Sequence, residues 1–376
     1  MSWGCVQASV ALREECGFPA CHTMFFGGYE DDDDDISETS SQKDELEDNL
    51  EDVAAELDLG EPSDELKDFA RRNLGELPDT RLNLVQELRN VIYERGEVVP
   101  HRTDDSFLIR FLRARRFDVE KAHRLMNNYY SFKENNQELH EDVHPMNMRF
   151  IGDAEVLSVL PYREQTGRRI MIYKLGNWNP SSYSIEELFK ATVVVLELAV
   201  LEQRAQILGG ICIFDLGGIS MQHAWQITPS IARRTVELMV TSFPIRTHAI
   251  HIVNESWVFD IIFAIFKPFL DDRMKEKIYF HGQDFESLHS HIDPKFLPKR
   301  YGGMRPEYRY TDWIHNFLNN ETIIAEMEQL GYKFDLGEVK KMLDDVELEI
   351  SSDSNVIMTS ETSSLSSNSS SVNNNA

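Results

Sequence analysis

The chain has 376 residues, with 38 Lys and Arg against 64 Asp and Glu, a formal net charge of −26. Apolar residues make up 41%, enough for a real core, which excludes a wholly disordered chain. The acidic balance argues against nucleic acid as a partner, because phosphate binding needs a concentrated basic surface.

At about 150 residues per domain, the length accommodates one or two folded units with tails. A membrane-spanning helix needs about 18 uninterrupted apolar residues. The longest approach, Trp257 to Leu270, is broken by Asp260 and Lys267. Met1 to Leu12 has no basic start ahead of an apolar run, so no signal peptide is expected. Of four cysteines, Cys5, Cys16 and Cys21 fit no zinc spacing and Cys212 lies alone in an apolar strand. Reduced thiols in the cytosol are the expectation.

The charge is uneven. Residues 1–100 hold 8 basic and 26 acidic side chains, residues 101–310 hold 27 and 26, and residues 311–376 hold 3 and 12. The middle of the chain is therefore nearly neutral. Residues 1–62 read as an acidic disordered tail, with Asp31 to Asp35 an unbroken run that repels itself. Residues 350–376, rich in Ser and Asn, read as a second one.

Ser63 can cap a helix carrying Leu66, Phe69, Ala70 and Leu74. Thr80 can start the next, with Leu82, Leu84, Val85, Leu88 and Ile92 on one side. Asp104 to Arg115 and Asp118 to Lys133 complete a helical module over 63–140. Strands follow at Val156 to Leu160 and Arg169 to Leu175 around a Gln165-Thr166-Gly167 turn. A helix is expected from Ser184 to Glu202, a strand at Ile211 to Leu216, and a helix from Pro229 to Thr241. A strand at His248 to Val253, a helix at Trp257 to Phe269, basic helical sequence from Met274 and a last strand at Ile278 to His281 complete the pattern. Strands alternating with helices predict an α/β domain over 141–310 with a mostly parallel sheet. A C-terminal helical extension is expected over 311–349.

Several strings now carry a resemblance. They are Phe111-Leu112-Arg113-Ala114-Arg115-Arg116-Phe117-Asp118, Phe214-Asp215-Leu216-Gly217-Gly218, Ile227-Thr228-Pro229-Ser230 and Ser242-Phe243-Pro244. Further along come Ile250-His251-Ile252-Val253-Asn254, Lys267-Pro268-Phe269-Leu270 and Leu297-Pro298…Tyr301-Gly302-Gly303. Each string alone is weak. Their order and spacing across residues 64–310 resemble the CRAL-TRIO (Sec14-like) lipid-binding family, in the branch of α-tocopherol transfer protein, cellular retinaldehyde-binding protein and clavesin. The resemblance implies a helical module packed on an α/β domain that encloses one hydrophobic ligand beneath a mobile amphipathic lid helix. In the tocopherol-protein branch it also implies a basic patch beside the lid that holds a phosphoinositide head group.

The lid candidate is Ser256 to Lys267. Ser256, Asp260 and Lys267 share one stripe, and apolar side chains take the rest of the circumference. Such a helix reads either as a central core helix or as one wall of a lipid cavity. Pro268 ends or kinks it. By resemblance the pocket is formed by Thr192, Leu196, Phe214, Ile227, Phe243, Ile245, Ile250, Phe259 and Phe263. Glu197 interrupts an apolar helix and needs a partner, either a basic side chain or a ligand hydroxyl.

Arg246, Lys267, Arg273, Lys275 and Lys277 form a basic set, with Arg273 and Lys277 four residues apart. On spacing alone this reads as a solvated face, since Asp271, Asp272 and Glu276 are at hand. The resemblance assigns phosphoinositide binding to Arg115, Arg246, His248, Lys267, Arg273 and Lys277. His248 departs from the pattern, standing where the tocopherol protein carries an arginine, and an imidazole supplies less charge near neutral pH.

No enzyme motif is present: there is no G-x-S-x-G, H-E-x-x-H, G-x-G-x-x-G or P-loop string. His289 and His291 read as surface histidines; Asp215 ends a strand, where catalytic acids often sit, but no nucleophile or base accompanies it, and the resemblance implies a structural role. The expectation is a cytoplasmic, monomeric, non-enzymatic protein without cofactor or metal. It would bind one tocopherol-, retinoid- or phospholipid-like molecule and transfer it between membranes, docking peripherally on endosomal or plasma membranes through phosphoinositides. The alternative is a phosphoinositide-sensing trafficking adaptor that does not transfer ligand. The acidic tail could then compete for the basic patch.

Overall fold

The computed structural model describes residues 55–335 except 142, 309 and 310, together with 337 and 341. The expected acidic tail up to residue 54, the Ser/Asn-rich tail and Cys5, Cys16 and Cys21 lie outside the described residues.

Ser63 caps α1 (Asp64–Phe69) by accepting from the Leu66 amide, and a π turn (Ala70–Leu74) continues it. α2 (Pro78–Arg95) starts ahead of the expected Thr80 cap, because Pro78 fits the first turn, where no amide hydrogen is needed. α3 (Asp105–Ala114) and α4 (Val119–Asn135) start at the Asp104 and Asp118 caps. A short α5 (Arg149–Asp153) leads into β1 (Leu157–Arg163) and β2 (Arg169–Lys174), which pair antiparallel. α6 (Ile185–Ala199) opens on a Ser184–Glu187 capping box. It ends short of Glu202, and a separate α7 (Gln203–Leu208) follows.

Next come β3 (Gly210–Asp215), α8 (Met221–Ala224) and α9 (Pro229–Val236), with a π turn to Ser242. β4 (Thr247–Val253), α10 (Trp257–Phe266), α11 (Asp272–Lys275), β5 (Ile278–Phe280) and α12 (Phe285–His289) complete the α/β domain. α13 (Thr311–Leu318) and α14 (Glu321–Gln329) extend it. Among the described residues no helix is long and apolar enough to cross a membrane.

The sheet runs β1-β2-β3-β4-β5, antiparallel only at β1–β2. Because side chains alternate along strands, the parallel registers sort residues onto two faces. Met171, Cys212, Ile250 and Ile278 align on one face, as do Tyr173, Phe214, Ile252 and Phe280. The opposite face, with Ile170, Ile172, Ile211, Ile213 and Val253, is covered by Leu288, Ile292, Leu297 and Tyr301. Asp215 ties one end of that cover to the ends of β3 and β4. It accepts from the Gly217 amide at 3.0 Å, from Asn254 Nδ2 at 2.9 Å and from the Tyr301 hydroxyl at 3.0 Å. The structural reading of Asp215 is what the geometry gives. Gly303 follows from backbone crowding, since a Cβ there would sit 1.9 Å from the Leu297 carbonyl oxygen.

Residues 55–62, included in the acidic tail by composition, pack on the domain. Ala55 is 4% exposed, and the Asp58 amide donates to the buried Glu202 carboxylate at 2.8 Å. His289 and His291 are half-buried rather than on the surface. His289 Nε2 bonds the Tyr301 carbonyl at 2.8 Å, and the His291 ring lies 4.3 Å from Tyr279.

The helical module is fastened by Arg113, which is 1% exposed. Its Nε and Nη2 each donate to Glu76 at 2.8 Å, and Nη1 donates to Gln206 at 2.7 Å and Gln203 at 3.1 Å. Truncating one member of a buried ion pair strands the other, at a cost of about 3–5 kcal/mol. Arg113→Ala should therefore lower the urea unfolding midpoint by far more than Arg71→Ala, whose ion pair with Asp68 is exposed.

A histidine group lies under the covered face. His251 and His281 share a hydrogen bond at 2.9 Å, and His281 bonds Ser287. Burial pushes His281 down to about 4. His251 is driven lower still by burial, with His281, His291 and His248 adding to it. The unfolded chain thus binds more protons than the fold, so stability falls as pH drops below about 6.5, by up to about 1.4 kcal/mol per pH unit for each histidine. His281→Asn should flatten the stability-versus-pH curve between pH 6.5 and about 4 in chemical denaturation.

Candidate functional site

The aligned face of the sheet does not meet a solid layer of helices. Tyr173, Phe214, Ile250 and Ile252 form the floor of a cavity of about 210 Å³. Leu188, Phe189 and Thr192 of α6 wall one side. Ile231 and Thr235 of α9, with Met239 beyond it, wall another. Phe259, Ile262, Phe263 and Phe266 of α10 close it. The Tyr173 and Phe214 rings stack with centroids 4.8 Å apart, and Phe263 meets Phe280 edge-on at 5.4 Å.

The polar groups of this wall are already bonded within the protein. The Tyr173 hydroxyl donates to Thr192 Oγ1 at 3.2 Å, and Thr192 Oγ1 donates to the Leu188 carbonyl at 2.9 Å. Thr235 Oγ1 donates to the Ile231 carbonyl at 2.9 Å, and His223 Nε2 bonds the Trp178 carbonyl at 2.7 Å. Burial holds the Tyr173 hydroxyl far above its ordinary pKa, so it stays protonated. A wall of this kind receives apolar molecules and offers water nothing.

Of the sequence-expected pocket residues, Thr192, Phe214, Ile227, Ile250, Phe259 and Phe263 line this cavity. Leu196, Phe243 and Ile245 do not. Leu196, one turn beyond Thr192 on the same side of α6, is buried in the main core, the Phe243 ring packs 5.5 Å from Tyr129, and Ile245 packs against the same core. Glu197 is buried away from the cavity. It accepts from Tyr129 OH at 2.8 Å and from Lys133 Nζ at 3.3 Å, so it has an internal partner rather than a ligand. Tyr173, Leu188, Phe189, Met239, Ile262 and Phe266 were not foreseen. The i,i+4 spacing of Leu188 with Thr192 and of Ile262 with Phe266 was the signal available for three of these positions.

α10 packs on α8 and α9. Its second side is also apolar, with Trp257 59% and Ile261 42% exposed and Ala264 beside them. Trp225, at the end of α8, is 74% exposed. A helix apolar on both sides with one side in water is what neither a core helix nor a surface helix requires. Pro268 follows it in a 3₁₀ turn (Lys267–Phe269).

The expected basic residues fall on several elements. Lys277 Nζ donates to the Thr247 carbonyl at 2.9 Å, which brings it to the stretch holding Arg246 and exposed His248. Arg246 itself donates to the Ile207 carbonyl of α7. Arg273 precedes Lys277 by four residues on α11 and is exposed, while Lys275 pairs with Asp272 at 2.8 Å. Lys267 ends the lid. Arg115 follows α3, donates to the Ala114 carbonyl at 3.1 Å and is held below its ordinary pKa by burial. Among the described residues no group of three or more His, Cys, Asp and Glu side chains is placed to hold a metal ion.

The CRAL/TRIO domain family matches residues 153–303, and the CRAL/TRIO N-terminal domain family matches residues 44–128. The mouse "Alpha-tocopherol transfer protein-like" is 33% identical over 272 residues, covering 72% of this chain and 78% of that protein. "Clavesin-1" of Xenopus laevis is 35% identical, covering 66% and 75%. "Clavesin-2" of the rat is 31% identical, covering 75% and 87%.

Met239→Trp should fill the cavity at a cost of about 1–3 kcal/mol of overpacking. It should reduce the hydrophobic molecule recovered by solvent extraction from the purified protein. An unchanged yield would place that molecule elsewhere.

Proposed function

The chain belongs to the CRAL-TRIO family, and on that premise we propose that it binds one hydrophobic molecule under α10 and transfers it between membranes whose phosphoinositides it recognises. The observation that carries this reading is the two-sided lid. In water the inner side of α10 covers the cavity, while Trp257, Ile261 and Trp225 remain exposed. At a bilayer the outer side gains a place to bury, at about 25 cal/mol per Å² of apolar surface. Contact with the bilayer thus favours whichever lid position buries more surface there, and an opened lid does. Pro268 lets the helix swing without carrying the following turn with it.

The basic residues at the start of β4 and on α11 supply the complementary charge. Arg forks and Lys point charges both suit phosphate. Arg246, His248, Arg273 and Lys277 would hold the head group, with Lys267 at the lid and Arg115 on the helical module as outlying contacts. The candidate ligand class is tocopherol-, retinoid- or phospholipid-like. At about 210 Å³ the closed cavity is smaller than the roughly 300–1,000 Å³ usual for small-molecule sites, so such a ligand needs the lid to give way.

Each large apolar side chain moved into the bilayer is worth about 1.5–3 kcal/mol. Trp257→Ser with Ile261→Ser should therefore lower partitioning onto phosphatidylcholine vesicles by more than about tenfold. Arg246→Ala with Lys277→Ala should abolish the extra binding that phosphatidylinositol bisphosphate confers, and unchanged binding would remove the head-group site. Transfer of a fluorescent tocopherol between donor and acceptor vesicles separates the carrier from an adaptor. Tight binding with no transfer would sink the carrier reading.

A further inference from the structure

α6 is apolar around most of its circumference, and the lid cavity accounts for only one side of it. Ala191, Val194, Val195, Leu198 and Ala199 line a second cavity of about 360 Å³. The linings of the two cavities share no residue. The second one lies between α6, the β1 edge with Leu157 and Val159, the segment bearing Met146 and Met148, and the C-terminal helices with Phe317 and Ile323. Protein interiors pack to the density of organic crystals, so an apolar space of this size among four elements is room for a guest. Its volume falls within the roughly 300–1,000 Å³ of small-molecule sites. Met146 and Met148 give part of the wall an adaptable shape.

One end of the cavity is polar. Arg169 and Glu202 stand there, and both Glu202 oxygens accept from Arg169 Nε, at 2.9 and 3.1 Å. The Arg169 guanidinium also stacks 4.9 Å over the Trp313 ring. Glu202 also accepts from Arg163 Nη2 at 3.1 Å, and the Asp58 carboxylate lies 3.7 Å from Arg163 and 3.8 Å from Arg204, so these charges already have opposite partners inside the protein. Asn316 and Asn320 line the same region as neutral amides.

The mouth is crossed by the segment that leaves the acidic region. Asn316 Nδ2 donates to the Ala55 carbonyl at 3.2 Å, Arg169 donates to the Glu56 carbonyl, and the Asp58 amide donates to Glu202 at 2.8 Å. Residues 55–58 thus form a strap over the cavity. We infer that this second cavity, walled off from the lid cavity by α6 and strapped by residues 55–58, binds the chain of a neutral, hydroxyl-bearing amphipathic lipid. The apolar walls take the hydrocarbon, and the Asn316 end takes the hydroxyl. The inference stands apart from the lid cavity, because its occupant touches a different set of residues.

The test is photolabelling of the full-length protein with a long-chain alcohol carrying a diazirine, followed by peptide mass spectrometry. Two separable sets of saturable labels are expected, one on residues 257–266 and one on residues 146–151 and 313–323. Ala199→Phe, or Val195→Phe if the first fails to fold, should erase the second set and leave the lid set at its original level. The retained lid labels also report that the variant is folded. Labelling confined to residues 257–266 overturns the inference. So does a second set that neither substitution diminishes, or that grows linearly with probe instead of saturating. Replacing the alcohol by its carboxylic acid should lower occupancy of the second set, and equal or stronger labelling by the acid would overturn the assignment of a neutral ligand.

Discussion

A guanidinium without water is the constraint on which the rest of this molecule depends. Arg113 sits at 1% exposure between the helical module and the α/β domain. Glu76 neutralises it, and Gln206 and Gln203 accept from its Nη1. Burying that charge is tolerable only with this full set of partners. The set spans the turn before α2, the last turn of α3 and the first turn of α7. Since α7 runs directly into β3, the same contact fixes the central strand against the helical module. Glu202 does comparable work one turn earlier, holding Arg163, Arg169 and the Asp58 amide from a position 1% exposed.

With the sheet fixed in this way, its two faces have different tasks. One is sealed by the segment around Leu288, Leu297 and Tyr301, with Asp215 as the fastening. The other faces helices that do not fill the space above it. α6 is what keeps that space from collapsing: its charge at Glu197 is spent on Tyr129 and Lys133, and its apolar sides hold two separate cavities apart. α10 is the counterpart on the outside. Its inner side closes the cavity and its outer side leaves Trp257 and Ile261 in water, and in the proposed function the same helix couples ligand occupancy to contact with a bilayer. The formal charge of −26 says little about that contact, since residues 101–310 are nearly balanced.

Much of this was legible in the chain. Capping residues announced themselves locally: Ser63, Asp104, Asp118 and Ser184 each start the helix expected of them. Short apolar strands alternating with helices identified the sheet, and ordered strings such as those at 111–118 and 214–218 identified the family. The misplaced pocket residues share one cause. Leu196, Phe243 and Ile245 are as apolar as their neighbours, yet they pack in the main core, because where a cavity ends is decided by the elements packed opposite these residues. Thr80 lost to Pro78 as a helix start, where the fixed proline angle suits a first turn. Residues 55–62 read as tail because their composition is acidic, and they pack because Glu202 and Arg169 offer their backbone partners.

By itself the sequence determined the family, the α/β class, the order of strands and helices and the near neutrality of the folded centre. These follow from local spacing and from strings of residues, which the chain carries wherever it folds. Only the tertiary structure decided which apolar side chains line a cavity and which fill the core. It also decided that Glu197 is satisfied internally, that α10 is left apolar to water, and that α6 separates two spaces. Those properties belong to pairs of surfaces brought together from distant parts of the chain, and no single stretch of sequence contains both members.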